Sequence, residues 1–245
     1  MNLKIIDRLI SSSDSWKCLY DDLCTNKEYS EKFKGDVFER LTQAYLLTMP
    51  EYKSILKEVW LYDDVPKKVL DKLALPSKDF GIDLIAATKN NEYWSVQSKF
   101  KSPNQTLRYS DLTSFSTLSF SKSKNISLGI ISHTSTKPIR NKKLLGNITE
   151  LGSGRWKKIS DNEWGNIRNF CQQKPIKLKK RKKRKHQIEV ISAASDYFVK
   201  NKNNRGKLIM PCATGKSLSA FWIAQSLKSK KIIVAVPSLA LIKQS

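Results

Sequence analysis

The chain has 245 residues, 40% hydrophobic and 27% charged, with 45 lysines and arginines against 22 acids and a formal net charge of +23. Such a composition suits a soluble globular protein with room for one large domain, or a medium domain and part of another, and no apolar run reaches the about 20 residues needed to cross a bilayer. The basic excess points to a polyanionic partner, nucleic acid first, although lysine-rich codon usage would also raise the charge.

The N-terminus, Met1 to Asp7, lacks the basic-then-apolar form of a signal peptide. Cys18, Cys24, Cys171 and Cys212 are scattered without metal-ligand spacing and read as reduced thiols of a cytoplasmic protein. Residues 1–32 read as mixed helix without chemistry. Residues 33–48 read as a helix whose stripe is Phe33, Val37, Leu41, Ala44, Tyr45 and Thr48. Glu39 lies off that stripe, near Gly35, Thr42 and Leu46, and the helical wheel leaves open whether it is solvated or functional. Glu58 to Asp63 reads as a strand, and Pro76 closes the short helix that follows.

Next come two β-prone runs, ending at Ala87 and starting at Tyr93, joined by Lys89-Asn90-Asn91-Glu92. Asn-Asn between such runs signals a hairpin. Alternation puts Gln97 and Lys99 on one face of the second strand and Trp94, Val96 and Ser98 on the other. Asp83 begins the first strand and falls near Gln97 and Lys99 if the pair is antiparallel. An acid, an amide oxygen and a lysine at one strand end can form a metal-dependent hydrolytic site; the spacing alone favours an ordinary hairpin with a solvated polar face. Ser110 to Ser121 reads as a helix of low propensity, Leu128 to Ser132 as a buried strand, and His133 as a hydrogen-bonded surface residue rather than a general base. Arg155 to Ile159 reads as a further strand, and Asp161 starts a helix with acids in its first turn. The expected fold is α/β, a mixed central sheet flanked by helices.

Pro175 opens a boundary, and residues 177–185 are almost all positive. Such a run is extended and solvated unless a polyanion neutralises it. It reads as a linker that also touches phosphate, through Lys179, Lys180, Arg181, Lys182 and Lys183; a plain linker and a localisation signal are the alternatives. Beyond it, Lys207 to Met210 reads as a strand leading into Pro211-Cys212-Ala213-Thr214-Gly215-Lys216-Ser217 and a helix, Leu218 to Leu227. Strand, loop, Gly-Lys-Ser and helix is a phosphate-binding arrangement: loop N–H groups face the phosphates, Lys216 reaches the β and γ oxygens, and Ser217 can hold Mg2+.

Gly81-Ile82-Asp83 followed by Gln97-Ser98-Lys99 resembles the PD-(D/E)XK nuclease fold in its Mrr-type restriction endonuclease branch, with Gln in place of the usual second acid and no proline before Asp83. Gly35-Asp36-Val37-Phe38-Glu39 resembles the Gly-x-x-Phe-Glu of that group. The resemblance implies a Mg2+-dependent endonuclease acting on double-stranded DNA, with Asp83 and Gln97 as metal ligands, Lys99 as the catalytic lysine and Glu39 approaching the metal. Met210 to Ser217 resembles motif I of superfamily-two helicases, with Met where the strict pattern has Gly. Arg184 to Gln187 looks like their adenine-reading motif, with Gln187 as the base contact, and Val236 to Gln244 looks like motif Ia. The resemblance implies an ATP site formed by Gln187, Thr214, Gly215, Lys216 and Ser217.

No Asp-Glu-x-His motif follows in the sequence, so the expectation is nucleotide binding without hydrolysis, in a fragment, a truncated gene product or half of a split protein. An exposed, poorly ordered edge is expected at Ile232 to Val236. The combination resembles the N-terminal part of single-chain type ISP restriction enzymes. It implies residues 1–172 as nuclease, 173–186 as basic linker and 187–245 as a truncated RecA-like α/β segment. The remainder of a helicase and methyltransferase polypeptide would be a further partner. A non-catalytic DNA-binding remnant and a nucleotide-binding subunit of a split helicase are the alternatives.

Overall fold

Helix-forming residues before Pro50 and alternating runs beyond Leu56 assemble as a sheet with helices on its faces. The computed structural model describes residues 2–78, 81–102, 105–139, 145–176, 182–211, 214–228 and 231–233. The chain divides into two units, Met1–Leu178 and Lys179–Ser245. In the first, helices α1 (Leu3–Ser12), α2 (Trp16–Thr25), α3 (Glu31–Thr48) and α4 (Pro50–Lys53) precede strand β1 (Leu56–Leu61). Helix α5 (Lys67–Leu73) separates β1 from β2 (Leu84–Thr88) and β3 (Tyr93–Lys99). A helical segment over 109–122, with α6 (Thr113–Ser116) at its centre, leads to β4 (Ile126–His133) and β5 (Ile148–Leu151). Helices α7 (Ser153–Trp156) and α8 (Asp161–Cys171) complete the unit.

Among the described residues the sheet has five strands in the order β1-β2-β3-β4-β5. It is antiparallel from β1 to β3 and parallel from β3 to β5. The fold is therefore α/β with a mixed sheet and flanking helices.

The β2–β3 turn forms as the Asn-Asn pair requires. Asn91 takes φ 63°, Thr88 N–H donates to the Glu92 carbonyl at 2.8 Å, and Glu92 N–H donates to the Thr88 hydroxyl at 3.0 Å. Leu84, Ala86 and Val96 bury one face of the hairpin in the core formed with α1, α3 and α8, whereas Ile85 buries the other face with Phe115 and Ile131. An aromatic cluster ties the first core together. The Trp156 ring lies 5.3 Å from Trp16, 5.1 Å from Phe38 and 4.9 Å from Tyr45, spacings at which tilted rings attract.

Helix α3 is buried well beyond the expected stripe, with Phe38, Thr42, Gln43 and Leu46 enclosed as well, because it packs on the sheet, α1 and α8 together. Three side chains pin it. Arg40 forks onto both Asp7 carboxylate oxygens at 2.8 and 2.9 Å, the Thr42 and Ser132 hydroxyls lie 3.0 Å apart, and Gln43 Nε2 donates to the Val59 carbonyl at 2.8 Å.

Three expectations for this unit need correction. Residues 155–159 form no strand: Ser153–Trp156 is helical, which swings Trp156 into the core, where its Nε1 donates to the Leu151 carbonyl. The strand of this region is Ile148–Leu151, extending the sheet beyond β4. Residues 110–121 are helical only in short turns of differing pitch, as their Ser/Thr content favours. His133 is hydrogen-bonded but not on the surface; it is 1% exposed inside β4.

In the second unit, helices α9 (Lys185–Ser195) and α10 (Lys216–Ser226) are present. Lys207 to Met210 is not a strand, since no neighbour among the described residues offers it a ladder. Ile232 and Ile233 are exposed, while Val234 to Ser245, Cys212, Ala213 and Lys177 to Arg181 lie outside the described residues. So do Asp79 and Phe80 at the start of the expected first hairpin strand.

Candidate active site

Gly81 prepares the end of the hairpin. Its φ of 119° is a conformation that side chains disfavour, and a Cβ there would stand 3.3 Å from Ser114 Cβ and 3.6 Å from Gln97 Nε2. Only glycine lets the chain turn this close to the Gln97 amide. Asp83 follows directly before β2 and is held by its main chain: its N–H donates to the Val96 carbonyl and its carbonyl accepts from Tyr62 N–H, both at 2.9 Å. The side chain is buried at 8% exposure, and Oδ2 accepts the Ser98 N–H at 2.5 Å. A charge-assisted bond of this length fixes the carboxylate's orientation.

Gln97 immediately precedes that donor. It is 2% exposed, and its Oε1 is buried without a hydrogen-bond partner among the described residues. A buried acceptor without a partner costs free energy. Lys99 lies two residues on, half-buried, on the same face of β3 as Gln97.

Glu39 is brought to the site by the pinning of α3. It lines a cavity of about 210 Å³ together with Leu3, Leu61, Tyr62, Asp63, Asp64 and Asp83. The structure thus joins Glu39 to Asp83 at one cavity, which Gln97 and Lys99 do not line. Asp63 and Asp64 were missed from the sequence; an Asp-Asp pair closing a strand that leads to the site was the available signal. No cluster of three His, Cys, Asp or Glu side chains suited to a metal occurs among the described residues. The candidate oxygen donors are the carboxylates that line the cavity and the amide oxygen of Gln97. Oxygen donors of this kind suit a hard divalent ion such as Mg2+, and the unfilled Oε1 fits that role.

The second unit holds the other candidate site. Gly215, at φ 82°, caps α10, and a Cβ on it would fall 2.7 Å from Gln187 Nε2. Gln187 is 3% exposed; its Oε1 accepts from Arg184 N–H at 2.9 Å and its Nε2 donates to the Thr214 carbonyl at 3.2 Å. The loop before α10 and the start of α9 are thereby one contact. Lys216 and Ser217 open the helix with exposed side chains, and Lys182 and Lys183 are exposed as well.

Residues 47–150 match the restriction endonuclease family of Mrr-type catalytic domain, and residues 180–245 match the family of the Type III restriction enzyme, res subunit. The chain joins a restriction-endonuclease domain to a helicase-like region. No curated protein matches it. A solved structure, the ATP-dependent Type ISP restriction-modification enzyme LlaBIII bound to DNA, is similar to 92% of this chain at 27% identity with a TM-score of 0.64. The chain spans 14% of that protein's length. Asp83, Gln97 and Lys99 fall within the restriction-endonuclease match and Glu39 precedes it; Gln187 and the Gly-Lys-Ser loop fall within the helicase-like match. No helix among the described residues is long and apolar enough to cross a membrane.

Proposed function

We propose that this chain cleaves double-stranded DNA by Mg2+-dependent phosphodiester hydrolysis, as the nuclease-bearing part of an ATP-dependent restriction enzyme. The observation that carries the reading is the buried, unpartnered Oε1 of Gln97, one residue from the N–H that holds the Asp83 carboxylate. Asp83 and Gln97 Oε1 would hold the cation, with Glu39 approaching through water. Bound there, the cation would polarise the scissile phosphate and stabilise the leaving oxygen. Lys99 orients the attacking water, and its ammonium offsets the charge that develops on the phosphorus centre.

In the same reading residues 1–172 are the nuclease, 173–186 a basic linker whose lysines contact phosphate, and 187–245 the opening of a RecA-like ATPase. Lys216, Ser217, Thr214 and Gly215 would receive the ATP phosphates, and Gln187 the base. The contact between Gln187 and Thr214 supports this by placing both motifs at one loop.

The test is cleavage of supercoiled plasmid by the purified full chain with Mg2+, alongside Asp83→Ala and Lys99→Ala. Wild type is expected to nick or cut, and both variants to lose at least a hundredfold, the scale of removing an electrostatic catalytic group, roughly 10²–10³. Equal cleavage by all three would sink the assignment. Salt-dependent DNA binding by wild type with no cleavage would instead make the chain a binding module.

A further inference from the structure

Beyond the C-terminal ends of β3 and β4 the chain is laced together by two buried hydroxyls. The parallel β3–β4 ladder ends with Lys99 opposite His133. Thr134, 3% exposed, carries it one rung further with a side chain in place of a carbonyl. Its N–H donates to the Lys99 carbonyl at 3.3 Å, and its hydroxyl accepts from Lys101 N–H at 2.7 Å while donating to the Lys101 carbonyl. Lys99 and Lys101 thus both turn main-chain groups toward β4, the phase in which residues two apart share a face of an extended chain. Ser135, 1% exposed, makes the second tie: its hydroxyl donates to the Gln105 carbonyl and accepts from Lys137 N–H at 3.1 Å.

The lacing brings Lys101 and Lys137 to the sheet end that carries Gln97 and Lys99. Lys137 is exposed, and Lys99 and Lys101 are half-buried. None of the three lysines makes an ion pair among the described residues. The acid of the adjoining strand, Glu150 of β5, is engaged by His133, whose Nε2 lies 2.9 Å from Glu150 Oε1. The three lysines therefore offer their charge to a partner outside the chain. Fixing their main chain beforehand lowers the ordering cost of binding, and loops held on a rigid scaffold are where binding residues concentrate.

We propose that Lys101 and Lys137 form a phosphate-binding ledge for duplex DNA beside Lys99. The two ammonium groups hold backbone phosphates next to the scissile one, so that the strand reaches Lys99 already placed. Contacts to phosphate give affinity and register without reading sequence. The ledge lies on the nuclease unit itself, apart from the basic run at 177–185, and rests on the nuclease reading for the identity of its partner.

The salt dependence of binding tests the ledge in the full chain, with EDTA present so that neither metal nor cleavage enters. A fluorescein-labelled duplex is titrated between about 50 and 200 mM KCl, where each phosphate contact adds about 0.9 to the slope of log affinity against log salt. Lys101→Gln/Lys137→Gln is expected to lower the magnitude of the slope by about 1.8, one contact per lysine. Lys101→Arg/Lys137→Arg keeps both charges and is expected to keep the wild-type slope. Lys122→Gln/Lys124→Gln removes two exposed cations just before β4, at its opposite end, and is expected to leave the slope unchanged. A wild-type slope in Lys101→Gln/Lys137→Gln, an equal fall in both glutamine pairs, or no DNA binding by the wild type would overturn the ledge. Cleavage with Mg2+ decides the nuclease reading separately: a wild type that does not cut, with a slope that falls only in the first pair, would retain the ledge and refute the nuclease.

Discussion

Replacing Gln97 by Met tests whether the site carries a cost in stability in order to bind a cation. Met is close to Gln in size and has no amide. The buried Oε1 of Gln97 has no partner among the described residues, and a buried unsatisfied acceptor costs about 1–3 kcal/mol. Removing it without leaving a cavity is expected to stabilise the metal-free protein by about 1–2 kcal/mol, after allowance for imperfect packing. For a unit of this size, about 2–4 °C per kcal/mol, the first unit's melting temperature in EDTA is expected to rise by about 2–8 °C. Mg2+ should reverse the order. At a hundred times its dissociation constant a ligand stabilises the folded state by about 2.7 kcal/mol, a gain open to wild type and closed to Gln97→Met. Calorimetric scans of both proteins, with EDTA and with Mg2+, make the comparison. A variant that melts below wild type in EDTA, or gains as much from Mg2+, would refute the reasoning.

The same logic reaches three other positions. Gly81→Ala forces a side chain into a φ of 119° against Ser114 and the Gln97 amide, and is expected to destabilise the protein by about 1–3 kcal/mol in urea titration; an unchanged midpoint would contradict it. Burial pushes the Cys171 thiol from 9.0 up to about 12. The folded state therefore holds its proton more tightly than the unfolded chain, so this share of stability is complete below about pH 9 and lost between about 9 and 12. Cys171→Ala is expected to flatten that alkaline decline in denaturation midpoints, and an equally steep decline would count against the burial argument. Lys216→Ala and Gln187→Ala are each expected to weaken binding of a fluorescent ATP analogue at least tenfold by equilibrium titration; unchanged affinity in both would remove the nucleotide site.

The hairpin was legible because its signals are local: the Asn-Asn turn and the alternation from Tyr93 to Lys99. What failed depended on distant packing. β5 is four residues long with Thr and Glu inside it, and only its parallel pairing to β4 makes it a strand. Arg155 to Ile159 carries a strand-like mix of aromatic and branched residues, yet a ring cage of Trp16, Phe38 and Tyr45 turns Trp156 inward from a helix. Lys207 to Met210 has strand composition and no ladder among the described residues. The position of Glu39 could not be read from a helical wheel, because α3 is enclosed on several sides and its rotation is set by Arg40, Thr42 and Gln43. Asp63, Asp64 and the His133–Glu150 pair come together only through strand order, which local sequence does not encode.

The central claim is that Gln97 Oε1 and the Asp83 carboxylate share a divalent cation. Anomalous scattering from Mn2+ soaked into crystals of the full chain locates that cation directly. The expected result is one peak within about 2.0–2.6 Å of both oxygens, the range for hard-cation ligands, and its loss in Asp83→Ala. A peak held by Asp63 and Asp64 alone, with Gln97 Oε1 still unliganded, would contradict it.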